Sequence, residues 1–125
     1  ETLSWLVATE RLAKAHGVPL VVGLIPVGTV DPAYVDFWRF WPKYFSAALS
    51  SDARHRRLAV ALRQTGVPFF DLRDELNGVP GTYRLTDGHW TDRGTQLSAA
   101  RVADALLSAR QQLVAAPAAV PAPAR

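Results

Sequence analysis

Asp87 and His89, two positions apart, are the residues whose types and spacing fit proton transfer. They lie in the segment Tyr83-Arg84-Leu85-Thr86-Asp87-Gly88-His89-Trp90-Thr91-Asp92-Arg93-Gly94. A carboxylate beside an imidazole fixes the ring tautomer. It also stabilises the imidazolium formed when the ring takes a proton, which suits a general base. The same spacing serves a loop that hydrogen-bonds to itself or, with Asp92, a metal site. Spacing alone leaves the three readings open. The other two histidines ask for no chemistry. His16 falls at the end of a predicted helix, where a cationic ring favours the dipole. His55 falls in an arginine-rich helical turn and is expected to face solvent.

Two helix–strand units are expected to position the pair. Residues 1–16 read as a helix, with Trp5, Ala8, Leu12 and Ala15 on its inner face and Glu10, Arg11 and Lys14 toward water. Gly17 stops it and Pro19 follows. Residues 20–25 (LVVGLI) form a continuous apolar run, the habit of a strand buried on both faces of a parallel sheet. The pattern then repeats. Ser50 or Ser51 is expected to cap a second helix, with Asp52 in its first turn, Leu58, Ala61, Leu62 and Thr65 inward, and Arg54, Arg56, Arg57 and Arg63 solvated. Gly66-Val67-Pro68 then leads into a second strand, Phe69-Phe70-Asp71-Leu72. Such units predict a parallel α/β sheet with right-handed crossovers. Between them, residues 37–45 crowd Phe37, Trp38, Phe40, Trp41, Tyr44 and Phe45 together, as a satellite packing cluster or as a substrate wall or partner surface. Thr91 is expected to cap a last helix, with Ala99, Val102, Ala103, Leu106 and Leu113 buried. The Asp87–His89 loop then lies where ligands bind in open α/β sheets, near the carboxyl ends of strands.

Composition narrows the classes. The chain has 125 residues, 49% hydrophobic and 20% charged, the composition of one globular domain. Fourteen Lys and Arg against 11 Asp and Glu leave +3, too small an excess to imply the clustered basic face of a nucleic-acid footprint. With no cysteine, disulfides and thiolate zinc sites are excluded. The longest apolar stretch is ten residues and is broken by Pro19, Gly23 and Pro26, well short of the roughly 20 that a membrane span needs. No Met occurs and the first residue is Glu1, so a processed or partial chain with a further segment upstream is expected. Residues 114–125, almost all Ala, Pro and Val, are expected to form a disordered, dispensable tail after a domain at residues 1–113.

The run from Tyr83 through Asp87-Gly88-His89-Trp90-Thr91 to Gly94 and Ala99-Ala100, followed by a helix, resembles the last sequence block of SGNH (GDSL-type) hydrolases. In that block the Asp and His of a Ser-His-Asp triad precede the C-terminal helix. The upstream run from Leu12 to Pro26 is similar to the strand after the family's Asn-bearing block, and residues 66–72 are similar to its next strand. The spacing is that of the Asp-x-His-Trp variant. This variant is similar to SGNH proteins linked to O-acetylation of cell-surface polysaccharides, including the alginate-acetyltransferase-like branch.

The resemblance implies a three-layer, flavodoxin-like α/β fragment. It also implies a serine esterase or O-acyltransferase acting on acyl, above all acetyl, esters of carbohydrates, with His89 as base and Asp87 as its orienting partner. Neither a metal nor an organic cofactor is implied, and the family context points to the cell envelope or periplasm. The family's Gly-Asp-Ser block, its oxyanion glycine and its Gly-x-Asn-Asp block are absent here. Ser4, Ser46, Ser50, Ser51, Ser98 and Ser108 sit in no such motif. The nucleophile is therefore expected on a missing N-terminal part or another subunit, and this chain alone is expected to be inactive. The alternative is a non-catalytic accessory or assembly subunit that docks through residues 37–45.

Overall fold

The structure is a computed structural model that describes residues 1–115. From residue 116 onward, the tail expected for 114–125 lies outside the described residues. Helix α1 (Thr2–Ala15) leads to strand β1 (Val22–Leu24), and a single 3₁₀ turn (Gly28–Val30) leads to α2 (Pro32–Trp38). Helix α3 (Pro42–Arg63) then leads to β2 (Phe69–Asp71), the short α4 (Arg73–Leu76) and the long α5 (Asp92–Ala115). Among the described residues, β1 and β2 form a two-stranded parallel sheet, with Val22 opposite Phe69 and Leu24 opposite Asp71. The helix–strand repeat read from the sequence is therefore present, and the fold mixes helices with a small parallel sheet. No described helix is long and apolar enough to cross a membrane.

Two apolar clusters hold these elements together. Leu3, Leu6 and Val7 of α1 and Leu58, Ala59 and Leu62 of α3 pack with Val22, Leu24, Val67 and Phe69. Val30, Phe70, Leu72, Leu76 and Tyr83 pack with Leu97, Val102 and Ala105 of α5. Adjacent residues Phe69 and Phe70 thus belong to different clusters, as the two-residue period of a strand requires.

Several local expectations are corrected. In α1 the inner face is Leu3, Leu6, Val7 and Glu10, while Trp5 and Leu12 are exposed. Glu10 was expected to face water, but it is buried and carries an ion pair to Lys14 at 2.5 Å. Helix α3 starts at Pro42 rather than at Ser50 or Ser51, because Pro suits the first turn and nothing from Lys43 to Arg63 breaks a helix. Ser50, Ser51 and Asp52 are consequently mid-helix residues. In α5, Thr91 caps as expected, its hydroxyl accepting from the Gly94 N–H at 3.2 Å. The buried face, however, is Gly94, Ser98 and Ala105, flanked by Leu97, Arg101 and Val102, while Ala99, Ala103 and Leu106 are exposed. Length explains part of this: a 24-residue helix spans about 36 Å and a three-residue strand about 10 Å, so the sheet covers only part of it.

Candidate functional site

Asp87 and His89 sit at the tip of a hairpin-like loop, residues 82–91. Its arms pair through an antiparallel bridge between Tyr83 and Trp90. Arg84 N–H donates to the His89 carbonyl at 2.7 Å, Gly88 N–H to the Arg84 carbonyl at 3.1 Å, and Thr91 N–H to the Thr82 carbonyl at 3.0 Å. Gly88 turns the tip with φ of 70°, the left-handed region that a residue with a Cβ enters only at a cost. The glycine between the two polar residues therefore allows both side chains to fold to one side of the turn.

At that tip the Asp87 carboxylate accepts the His89 backbone N–H at 3.0 Å, and its Oδ1 lies 3.3 Å from His89 Nδ1. The His89 N–H, chiefly, and the imidazole beside it hold the Asp87 carboxyl below its ordinary value, with Arg84 adding in the same direction. With Nδ1 turned to the carboxylate, Nε2 is the free nitrogen. The sequence pair is thus a spatial pair. It is also wet: the His89 side chain is 81% exposed and that of Asp87 45%. Among the described residues no three His, Asp or Glu side chains gather as metal ligands would.

An open groove of about 450 Å³ runs beside the pair, lined by Pro26, Gly28, Tyr34, Tyr83, His89 and Trp90 among others. It begins one residue past the carboxyl end of β1, where the chain leaves the sheet, the place where open α/β sheets bind ligands. Tyr34 forms a wall: its ring lies against Gly28 and its hydroxyl beside Gly88. Burial pushes its phenol up from the ordinary value. The aromatic run divides in two. Trp38 packs edge-on against Phe37 and Tyr44 and tilted against Tyr34, while Phe40, Trp41 and Tyr44 stand more than half exposed. Ser46, Ser51 and Ser108 hydrogen-bond only within their own helices, Ser4 bonds the Glu1 carbonyl, and Ser98 is buried in α5. None of the hydrogen bonds of the described residues joins a serine to His89.

Of the buried carboxylates, Asp31 and Asp52 are each held by several donors. Asp31 stands directly before Pro32, the place of a helix cap. It does cap α2, accepting the Ala33 N–H at 2.8 Å, but it also reaches the hairpin some fifty residues away. Asp52 is held by the guanidinium groups of Arg56 and Arg73. Burial pushes the Asp31 carboxyl up, and the backbone N–H groups of Tyr83, Ala33, Gly81 and Thr82 outweigh it, so the group titrates below its ordinary 3.8. Asp52 is likewise pushed up by burial and brought below 3.8 overall by Arg56 and Arg73. Because the unfolded chain then binds more protons than the native one, both contribute stability above pH 4 that is lost as pH falls through their native values. The melting temperature is expected to fall below about pH 4, with a shallower acid slope in Asp52→Asn. An equal slope in the variant would remove Asp52 as a cause.

His55 also departs from expectation. Its side chain is 8% exposed and its Nε2 lies 2.8 Å from Asp71 Oδ1 at the end of β2. The arginines around it suggested solvent, but one helix turn carries both wet and buried positions, and His55 takes a buried one.

Residues 2–121 match a family model described as SGNH hydrolase-like domain, acetyltransferase AlgX. No curated protein and no solved structure matches the chain. With nearly the whole sequence matched, a parallel helix–strand unit, and a groove at the carboxyl end of β1, the chain belongs to the AlgX-type family of SGNH hydrolase-like domains.

Proposed function

We propose that this chain supplies the base and its orienting carboxylate to an SGNH-type serine esterase or O-acyltransferase that acts on acyl, above all acetyl, esters of carbohydrates. The observation that carries the reading is the Asp87 carboxylate 3.3 Å from His89 Nδ1, at the edge of an apolar groove past the end of β1. Membership of an acetyltransferase-type SGNH family supports the acyl chemistry. In this reading the sheet is one part of a three-layer α/β domain. A serine hydroxyl gives its proton to His89 Nε2 as its oxygen bonds the acyl carbon. His89 returns that proton to the departing sugar oxygen, and Asp87 steadies the imidazolium between the two events. Water or a second sugar hydroxyl then attacks the acyl-serine, His89 takes its proton, and the serine leaves with a proton restored.

In this reading the serine comes from outside the described residues, among which no serine is hydrogen-bonded to His89. The same element would cover the exposed imidazole, and excluding water there strengthens the Asp87 contact. The chain by itself is therefore expected to hydrolyse an activated acetyl ester no faster than buffer. In the complete protein, mass spectrometry should find the trapped acyl group on a serine outside residues 1–115. Turnover by the isolated chain that a serine-directed inhibitor abolishes would overturn this placement.

A second reading has its own observation. Phe40, Trp41 and Tyr44 are 72%, 54% and 65% exposed on adjoining turns, which fits an accessory subunit docking through this surface. Full activity of the complete protein with His89 removed would favour it.

A further inference from the structure

The Asp31 carboxylate is fully buried, yet it carries five hydrogen bonds from two distant parts of the chain. Oδ2 accepts the Thr82 N–H at 2.7 Å, the Tyr83 N–H at 3.0 Å and the Thr82 hydroxyl at 3.3 Å. Oδ1 accepts the Gly81 N–H at 3.1 Å and the Ala33 N–H at 2.8 Å. Three successive backbone N–H groups at the entry to the hairpin thus converge on one side chain. Tyr83 itself carries the bridge to Trp90, and Arg84, the next residue up the arm, carries the bond to the His89 carbonyl. On its other side Asp31 starts the helix that bears Tyr34, the opposite wall of the groove.

We propose that Asp31 is a positioning residue for the Asp87–His89 pair, its carboxylate fixing the base of the hairpin and thereby the distance between that pair and the Tyr34 wall. The inference rests on the site described above and deepens it. A carboxylate suits the task because it presents about four lone-pair sites and no donor, so it can accept from several N–H groups at once. An amide in its place turns one oxygen into a donor that faces N–H groups. Those groups then lose their acceptor inside a dry site, where an unmade hydrogen bond is most costly. The hairpin entry is also tied by the Thr91 N–H and hydroxyl, which donate to the Thr82 and Gly81 carbonyls, and by the buried Tyr83, but the Gly81, Thr82 and Tyr83 N–H groups are left to Asp31.

The test measures the hairpin and not turnover, so it separates from the catalytic reading. In the Asp31→Asn chain, the Thr82 and Tyr83 amides are expected to exchange about tenfold faster or more relative to the Leu62 amide, the scale of one lost charge-assisted bond. The Asp87 carboxyl, followed by carbon NMR, should titrate closer to its ordinary 3.8, as its contact with His89 loosens. Asp52→Asn removes a different buried carboxylate, one that does not touch the hairpin, and should leave both readouts in place. If Asp31→Asn does not fold, Asp31→Ser keeps the cap on α2 and removes the clamp. Unchanged relative exchange at Thr82 and Tyr83, or an unchanged Asp87 midpoint in a folded variant, would overturn the proposal. So would unfolding by both substitutions, because Asp31 would then hold the whole fold and not the hairpin. Loss of hairpin order in Asp31→Asn, beside undiminished turnover in His89→Ala, would leave Asp31 as the clamp and reject the catalytic reading alone.

Discussion

Replacing His89 by alanine is expected to lower acyl turnover of the complete protein by about 10⁴-fold or more, the scale of losing a triad base. The substitution should leave the fold intact. The imidazole is 81% exposed, so its removal opens no cavity. The hairpin bond that His89 accepts uses its backbone carbonyl, which alanine retains. Rate and stability therefore separate. Asp87→Asn should lower turnover as well, because an amide cannot stabilise the imidazolium, and it should cost the hairpin little. If the two residues served only to tie down the loop, the same variants would shift the melting temperature by the worth of about one hydrogen bond, near 1 kcal/mol, and spare the rate. Stopped-flow hydrolysis of an activated ester and thermal melts on the same preparations distinguish the two. Near-normal turnover in His89→Ala would reject the catalytic role.

The repeat of helix, glycine stop, Val-Pro and apolar run at residues 17–25 and 66–72 made the parallel pairing of β1 with β2 legible in advance. The Asp87–His89 pair was legible because its partners are two residues apart and the geometry is local. What the sequence hid was non-local. Asp31 followed by Pro32 announces a helix cap, but nothing in the chain announces that the same carboxylate accepts from Thr82 and Tyr83. Nor does periodicity fix which face of a helix turns inward. In α1, Trp5 and Leu12 form as regular a stripe as Leu3, Leu6 and Val7, and the choice falls to the shape of the neighbouring surface. In α3 the dense aromatics masked a helix start at Pro42, because exposed Phe40, Trp41 and Tyr44 satisfy no amphipathic pattern.

The strongest structural effect is expected at Gly94, on the first turn of α5. A Cβ there would lie 2.3 Å from the Thr82 carbonyl oxygen, 3.1 Å from its carbon and 3.3 Å from Trp90 Cβ. The obstacle is backbone and cannot swing aside. That carbonyl is bonded to the Thr91 N–H, and Thr82 N–H is bonded to Asp31, so the hairpin base is held from both ends. Alanine favours a helix over glycine by about 1 kcal/mol, which works against the clash without matching it. Either α5 tilts away from the hairpin or the Thr82–Thr91 bond breaks, and a net loss of about 2–3 kcal/mol is the expected scale of such overpacking. For a chain of this size that lowers the melting temperature by about 8–12 °C. Gly66→Ala is the control, since a Cβ there meets nothing within 4 Å. It should leave stability unchanged or raise it by a few tenths of a kcal/mol to about 1 kcal/mol through the unfolded chain. If Gly94→Ala melts within a degree or two of the parent, the close approach of α5 to the hairpin is wrong. If it melts far lower, the glycine five residues beyond His89 is there to let the last helix reach the base of the loop that carries the pair.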